Sequence, residues 1–228
     1  MKALVLASGG VDSSTCLALA VERFGAANVV ALALYYGQKH SRELAAARAV
    51  AEYLQVEYLE LDMTAVFQYS NCPLLLQSDG EIPKGSYAEQ QAAAADRPVA
   101  TYVPFRNGVF IAAAASVALA RGCSTVYYGA HSDDAAGSAY PDCSEVFNAA
   151  MAEALWQGSG CALRLEAPFV GHNKAEIVAE GLRLGVPYHL TWSCYEGGGQ
   201  PCGKCGTCID RLAAFRQNGV DDPLQYSE

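Results

Sequence analysis

Residues Leu4-Val5-Leu6-Ala7-Ser8-Gly9-Gly10-Val11-Asp12-Ser13-Ser14-Thr15-Cys16-Leu17-Ala18-Leu19 decide how this chain is read. The apolar run predicts a buried strand, Ser8 to Ser13 a glycine-rich turn, and the residues from Asp12 onward a helix with an apolar face. Two glycines allow the backbone to approach an anion closely. The next N–H groups point out of the first helical turn, where the helix dipole favours negative charge. The pattern GxxxxGK[ST] is absent, so this is not a Walker A loop. Asp12 or Ser13 acting as an N-cap would account for a tight turn. It would not account for three small polar residues crowded into that turn, which a phosphate-holding loop explains.

Further strands are predicted at Lys2 to Ala7, Val29 to Tyr35, Glu57 to Leu61, Thr125 to Tyr128 and Arg164 to Glu166. Helical spacing covers Asp12 to Phe24, Ser41 to Tyr53, Asn107 to Arg121, Ser144 to Trp156 and Lys174 to Leu184, two of these ending at Gly122 and Gly185. Strands alternating with helices imply an α/β fold with a single doubly wound, mostly parallel sheet and helices on both faces. Ligands of such sheets bind beyond the carboxyl ends of the strands. Residues 71–101, broken by Pro73, Gly80, Pro83, Gly85 and Pro98, are too long for an ordinary connection. They read as a flap or an oligomer contact, or as a disordered insertion with a helical turn at Ala92 to Ala95. After Leu184 the regular pattern stops until a short helix, Ile209 to Gln217. Residues 1–190 are expected to form the α/β domain and 191–228 a small C-terminal metal-binding segment packed on it.

The chain has 228 residues, 52% of them hydrophobic and 17% charged, which excludes disorder and gives enough material for a large core. A net charge of −9 argues against a protein that grips a nucleic-acid backbone and favours a small substrate. Neither a signal-peptide pattern nor an apolar run of membrane-spanning length is visible, so a cytoplasmic location is expected. In that reducing compartment nine cysteines are not a disulfide framework.

Four of them, Cys194, Cys202, Cys205 and Cys208, follow the spacing C-x7-C-x2-C-x2-C in a glycine-rich segment. Four thiolates around one ion describe a closed structural zinc site. A redox dithiol or part of an iron–sulfur run are the other readings of CxxCxxC. Cys16, Cys72, Cys123, Cys143 and Cys161 are scattered and read as small apolar fillers.

The turns after the strands are unusually polar. Gln38 and His40 follow the second strand, where a nucleotide base can lie, or else belong to a turn leading into the next helix. Arg106 and Asn107 open a helix after Pro104, with Arg106 suited to clamping phosphate or carboxylate, or to a surface ion pair. Asp133 and Asp134, then Tyr140 and Asp142, follow the fourth strand, as ligands for a cation or a heterocycle or as a solvated acidic loop. Lys174 begins a helix, against the dipole, which an anionic ligand would explain.

Ser8 to Ser13 resembles the SGGxDS loop of the PP-loop ATP pyrophosphatases, which implies an adenine nucleotide alpha hydrolase-like sheet and cleavage of ATP between its α and β phosphates. Over Lys2 to Phe215 the chain is similar to the 7-cyano-7-deazaguanine synthases of the queuosine pathway. The similarity rests on SGGVDSSTCL, YYGQKH followed by Glu43-Leu44, VPFRN, AYPDC, and TWSCYEGGGQPCGKCGTCIDR ending in Ala214-Phe215. Phe105, where a glycine is common, and His131-Ser132-Asp133-Asp134 depart from that pattern. The resemblance implies conversion of 7-carboxy-7-deazaguanine and ammonia to the nitrile, with ATP consumed to AMP. It places ATP on Ala7, Ser8, Gly9, Gly10, Val11, Asp12, Ser13, Ser14, Thr15, Cys16, Leu17, Gln38 and His40. Ser13, Asp12, Arg106 and Lys174 are the catalytic candidates, and Asn107, Asp133, Tyr140 and Asp142 the substrate-holding ones. Zn²⁺ on the four cysteines would be structural and would help Trp192, Tyr195 or Arg211 reach the substrate. Asp12 would position Mg²⁺ or cap its helix, and a homodimer is expected. Another PP-loop amide ligase, a tRNA thiolase and a non-catalytic zinc-ribbon module are the competing readings.

Overall fold

A computed structural model describes residues 1–227 except His40, Ala95, Asp96, Gly137 and Ser138, with Tyr87, Ala88 and Ala94 described by backbone alone. In chain order the elements are β1 (Ala3–Leu6), α1 (Val11–Phe24), β2 (Val29–Tyr35), α2 (Arg42–Tyr53), β3 (Glu57–Asp62), α3 (Thr64–Phe67), α4 (Tyr87–Ala94) and α5 (Arg106–Ala120). They continue with β4 (Thr125–Tyr127), α6 (Ser132–Ala135), α7 (Glu145–Gly158), β5 (Arg164–Glu166), α8 (Lys174–Leu184) and α9 (Gly206–Gln217). The five strands form one sheet in the order β3-β2-β1-β4-β5, and every pairing is parallel.

Side-chain size sorts the two faces. Along β2, Ala31 and Ala33 point to the face that carries α1, α2 and α8, where small residues allow close helix approach. Leu32 and Leu34 fill the opposite layer against Ile111, Ala114 and Ala118 of α5. Strand β1 is buried on both faces, with Ala3, Leu4 and Val5 fully buried, as expected of a central parallel strand. Helix α9 joins the first layer through Ala214 and Phe215.

The direction in which strands are added to the sheet reverses at β1, which pairs with β2 on one side and β4 on the other. The connections after β1 and β4 therefore diverge and leave a crevice at the carboxyl ends, the place where doubly wound sheets bind ligands.

Three expectations are corrected. Helix α9 starts at Gly206, so Cys205 is its N-cap and Cys208 lies in its first turn; the glycines around the cysteines hide the helix from a periodicity reading. In the insertion, α4 begins at Tyr87, well before Ala92, while Ala95 falls outside the described residues. The insertion is also anchored: Gln38 bridges to Leu75 and Lys84 to Cys205.

The third concerns Arg211, which does not approach a ligand site. It is 1% exposed and grips Asp222 through Nε at 2.6 Å and Nη2 at 2.9 Å, while Nη1 donates to Thr191 Oγ1 at 2.7 Å. Breaking a buried pair from one side strands a charge, at a cost of about 3–5 kcal/mol. Asp222→Ala is therefore expected to lower the melting temperature by roughly 10 °C. Arg211→Met combined with Asp222→Leu should recover much of that loss, and a calorimetric scan showing no drop for the single change would refute the assignment.

Candidate active site

The loop after β1 is shaped by two close backbone approaches. Gly9 has φ +81°, and a Cβ there would lie 2.4 Å from the Glu43 carbonyl oxygen and 2.5 Å from the Ala47 nitrogen, so the loop presses on the first turn of α2. From β4, Gly129 lies so near that its Cβ would meet Ser13 N at 3.1 Å. Within the loop, Ser8 N donates to Ser13 Oγ at 3.2 Å, and the two hydroxyl oxygens are 3.0 Å apart. Gly10 is the N-cap of α1, and no side chain caps that end. Neither Asp12 nor Ser13 is a cap, so the alternative explanation of the turn fails. The first N–H groups of α1 lack intrahelical partners and meet an open cavity.

That cavity holds about 1320 Å³ of space continuous with solvent and runs from the Ser8 to Ser13 loop to Arg106. Leu32, Leu34, Tyr36, Phe110 and Tyr128 give it an apolar wall suited to flat rings. Of the residues expected to hold ATP, Ala7, Ser8, Gly10, Val11, Asp12, Ser13 and Gln38 line it. Gly9, Ser14, Thr15, Cys16 and Leu17 do not. Thr15 Oγ1 donates to Val11 O at 2.8 Å and lies 2.9 Å from the Tyr188 hydroxyl, while Ser14 is buried and Cys16 and Leu17 belong to the core. His40 lies outside the described residues.

Beneath the loop, charges converge from α1, α8 and the β4 connection. Lys174 Nζ donates to Asp12 Oδ2 at 2.6 Å and lies 3.3 Å from His131 Nε2, which is itself 3.3 Å from Asp134 Oδ2. Burial pushes the Asp12 carboxyl up, yet the Lys174 charge and then His131 outweigh it and hold the group below its ordinary value. Burial acts to lower the Lys174 pKa, but Asp12 and Asp134 overcome it and keep the ammonium charged. This pair, together with the capping box of Asn173 and Glu176 at the start of α8, explains a lysine at a helix N-terminus without a ligand. Asp12 Oδ1 is buried without a hydrogen-bond partner among the described residues.

In the role that the sequence resemblance implies for Lys174, beside the phosphates of ATP, Lys174→Met is expected to reduce kcat/KM for ATP about 100-fold, the scale for losing one preorganised charge at such a site. Because Asp12 is held low, the pair's stabilisation is complete above about pH 4 and fades as pH falls through the folded value. Thermal melts of Lys174→Met should accordingly show a flatter acid limb than those of the parent, and identical limbs would contradict the pairing.

At the opposite wall, Arg106 Nη1 donates to the Tyr36 hydroxyl at 3.2 Å, with the guanidinium 5.4 Å from the Tyr36 ring centre. Burial works against the charge, but Tyr36, Tyr195 and Asp142 outweigh it and raise the Arg106 pKa. Asn107 and Tyr140 also line the cavity, the Tyr140 hydroxyl lying 2.6 Å from Thr101 Oγ1. Asp142 and Asp133 do not line it. Asp142 Oδ2 accepts from Asn107 N at 2.9 Å and Asp133 Oδ2 from Lys174 N at 2.8 Å, so each satisfies a free N–H at the start of a helix.

Asp134, a candidate ligand by sequence, lines the cavity, and so do four residues that sequence reasoning left without a role: Glu43, Ser193, Thr207 and Asp210. Trp192 and Tyr195 reach it as expected, and Trp192 N donates to Gly9 O at 2.8 Å. Burial pushes the Asp210 carboxyl up to about 6, against the pull of Lys174.

The sulfur atoms of Cys194, Cys202, Cys205 and Cys208 all lie within 4.8 Å of one another. Four thiolates at about 2.3 Å from a tetrahedral ion stand roughly 3.8 Å apart, so the set fits a metal. Backbone N–H groups of Glu196 and Cys202 donate to Cys194 Sγ, and those of Lys204 and Cys205 to Cys202 Sγ.

The parallel sheet, with the SGGVDS loop at its switch point, defines a PP-loop protein, a class that uses ATP. The chain belongs to the queuosine biosynthesis protein QueC family, which matches residues 2–219. The 7-cyano-7-deazaguanine synthase of Archaeoglobus fulgidus is 42% identical over 229 residues, covering 100% of this chain and 91% of that one. The protein of the same name from Caldicellulosiruptor bescii is 40% identical, covering 99% and 97%. Among solved structures, NMN synthetase from Francisella tularensis superposes with a TM-score of 0.52 at 16% identity, covering 99% of this chain and 79% of that one. The U34-tRNA thiolase NcsA from Methanococcus maripaludis gives 0.53 at 17% identity, covering 86% and 61%. These two likenesses concern the fold. No helix among the described residues is long and apolar enough to cross a membrane.

Proposed function

We propose that the chain converts 7-carboxy-7-deazaguanine, ammonia and ATP to 7-cyano-7-deazaguanine, with AMP and pyrophosphate as the other products. The observation that carries the reading is one cavity with an uncapped helix N-terminus and Lys174 at one end and Arg106 with an aromatic wall at the other. A carboxylate is a poor electrophile with a poor leaving group. Its oxygen attacks the α-phosphorus, pyrophosphate departs, and the resulting acyl-adenylate is open to ammonia. Attack forms the C–N bond and expels AMP, leaving an amide. The amide oxygen is adenylated in turn with release of one N–H proton, and loss of AMP with the second proton leaves the nitrile, so two ATP are used per product.

In this reading the Ser8 to Ser13 backbone and the hydroxyls of Ser8 and Ser13 hold the phosphates, while Arg106 and Lys174 stabilise charge on the α-phosphate and pyrophosphate. Asn107 and Tyr140 hold the deazaguanine ring. Asp12 Oδ1, buried and free of hydrogen bonds among the described residues, suits Mg²⁺, a hard cation that would complete its shell with phosphate oxygens and water and neutralise their charge. Zinc on the four cysteines is structural, and residues 191–228 form the segment it organises on the α/β domain of residues 1–190. A homodimer in the cytoplasm completes the assignment.

Mass analysis after incubation with 7-carboxy-7-deazaguanine, ATP, Mg²⁺ and ammonium tests it. The expected result is the nitrile with two AMP formed per molecule. ADP in place of AMP, or unchanged acid, would refute the reading.

A further inference from the structure

Both halves of the proposed reaction must dispose of protons from nitrogen, one when ammonia attacks and two as the amide becomes a nitrile. Most acid–base groups near the cavity are already engaged. Asp12 is held by Lys174 and Asp134 lies against His131. Asp142 accepts from Asn107 N, and the Tyr36 hydroxyl accepts from Arg106. Glu43 is different. It sits in the first turn of α2, its backbone pressed on Gly9 of the phosphate-holding loop. It lines the cavity, its carboxyl faces Arg106, and no hydrogen bond or ion pair joins that carboxyl to another described residue.

Resting on the reaction proposed above, we propose that Glu43 is the general base that takes the proton from nitrogen in both halves of nitrile formation. In the first, the nitrogen lone pair forms the C–N bond at the acyl-adenylate carbon, the C–O bond to AMP breaks, and an N–H proton passes to the Glu43 carboxylate and then to water. In the second, the amide oxygen bonds to the α-phosphorus as one N–H proton passes to water, then the C–O bond breaks, AMP leaves with the bonding electrons, and Glu43 takes the last nitrogen proton as the triple bond forms. Formation of the acyl-adenylate asks nothing of a base, since a carboxylate oxygen attacks directly.

The titratable groups facing Glu43 are Arg106 from α5 and Tyr36 after β2. Burial pushes the Glu43 carboxyl up to about 7, with Arg106 drawing it back. A base acts from its deprotonated form, and catalysis is most effective when the group titrates near the working pH.

Glu43→Gln separates the steps. Pyrophosphate exchange into ATP, driven by 7-carboxy-7-deazaguanine without ammonia, should stay within about threefold of the parent. Nitrile formation should fall on the order of 100-fold or more, the usual contribution of a general base. The parent's kcat for nitrile formation should fall as pH drops through about 7, and that limb should be absent from the variant. Nitrile formation at the parent rate, or exchange lost together with it, would overturn the assignment. A parent enzyme with no acid-dependent exchange would instead remove the reaction on which this inference rests.

Discussion

Gly9→Ala is expected to abolish AMP formation, with kcat/KM for ATP falling at least about 1000-fold. A misplacement of about 1 Å at a reacting centre already costs on the order of 100-fold. Here the added methyl would sit 2.4 Å from one backbone atom of α2 and 2.5 Å from another, and neither can swing aside as a side-chain tip can. Relief must come from the loop itself, which carries Ser8, Asp12 and Ser13, or from α2, which carries Glu43. Gly10→Ala is the stability control. Its φ is −80° and a Cβ there would find Ser8 Oγ at 3.5 Å, an ordinary contact, so its melting temperature should stay within about 2 °C of the parent, a fraction of a kcal/mol. Equal melting and equal turnover for Gly9→Ala would show that the loop is not pressed on α2.

Removing the metal proposed for the four-cysteine site is expected to silence the enzyme while most of the sheet stays folded. Structural zinc contributes an apparent 10–16 kcal/mol or so in small zinc-finger peptides, more than a local loop can replace. In this chain the ligands stand between two groups of cavity residues, Trp192, Ser193 and Tyr195 on one side and Thr207 and Asp210 on the other. Loss of the ion frees both groups. The far half of α9 should remain docked, because Ala214 and Phe215 are core residues and Arg211 is locked to Asp222. Chelation, or Cys205→Ser, should therefore yield protease cleavage within 194–208, nearly unchanged far-ultraviolet dichroism, and no pyrophosphate exchange. Full activity in protein shown by metal analysis to be empty would defeat this account.

The sheet was legible because its signals are local. The β2 run Val29 to Tyr35 and the turn at Ser8 to Ser13 carry their periodicity and glycines within a few residues. Arg106, Asn107 and Lys174 were legible as polar residues at helix starts, although the reason given for Lys174 was incomplete. Its partner, Asp12, is 162 positions away, and no local pattern announces such a pairing. Arg211 was misread for the same reason, because Asp222 lies in a tail without periodicity. Glu43 and Asp210 stood within the quoted motifs but received no role, because each fits an ordinary helical pattern. Only the fold reveals that these helices present them to the cavity. Asp133 and Asp142 were identified by charge, which cannot distinguish a carboxylate that binds a ligand from one that satisfies a helix terminus.

The anchoring of the insertion also fixes the order in which the molecule can be completed. Its first part finds partners made early: Leu76 N donates to Gly37 O and Lys39 N to Leu74 O. Its second part has to wait, because Gly85 N donates to Lys204 O and Lys84 bridges to Cys205, more than a hundred residues downstream. During synthesis the chain emerges from the N-terminus at about 5–20 residues per second, so residues near 85 spend several seconds without their neighbour. The binding crevice is thus the last part of the protein to mature, and a chain truncated before Cys205 should hold a sheet but no finished pocket.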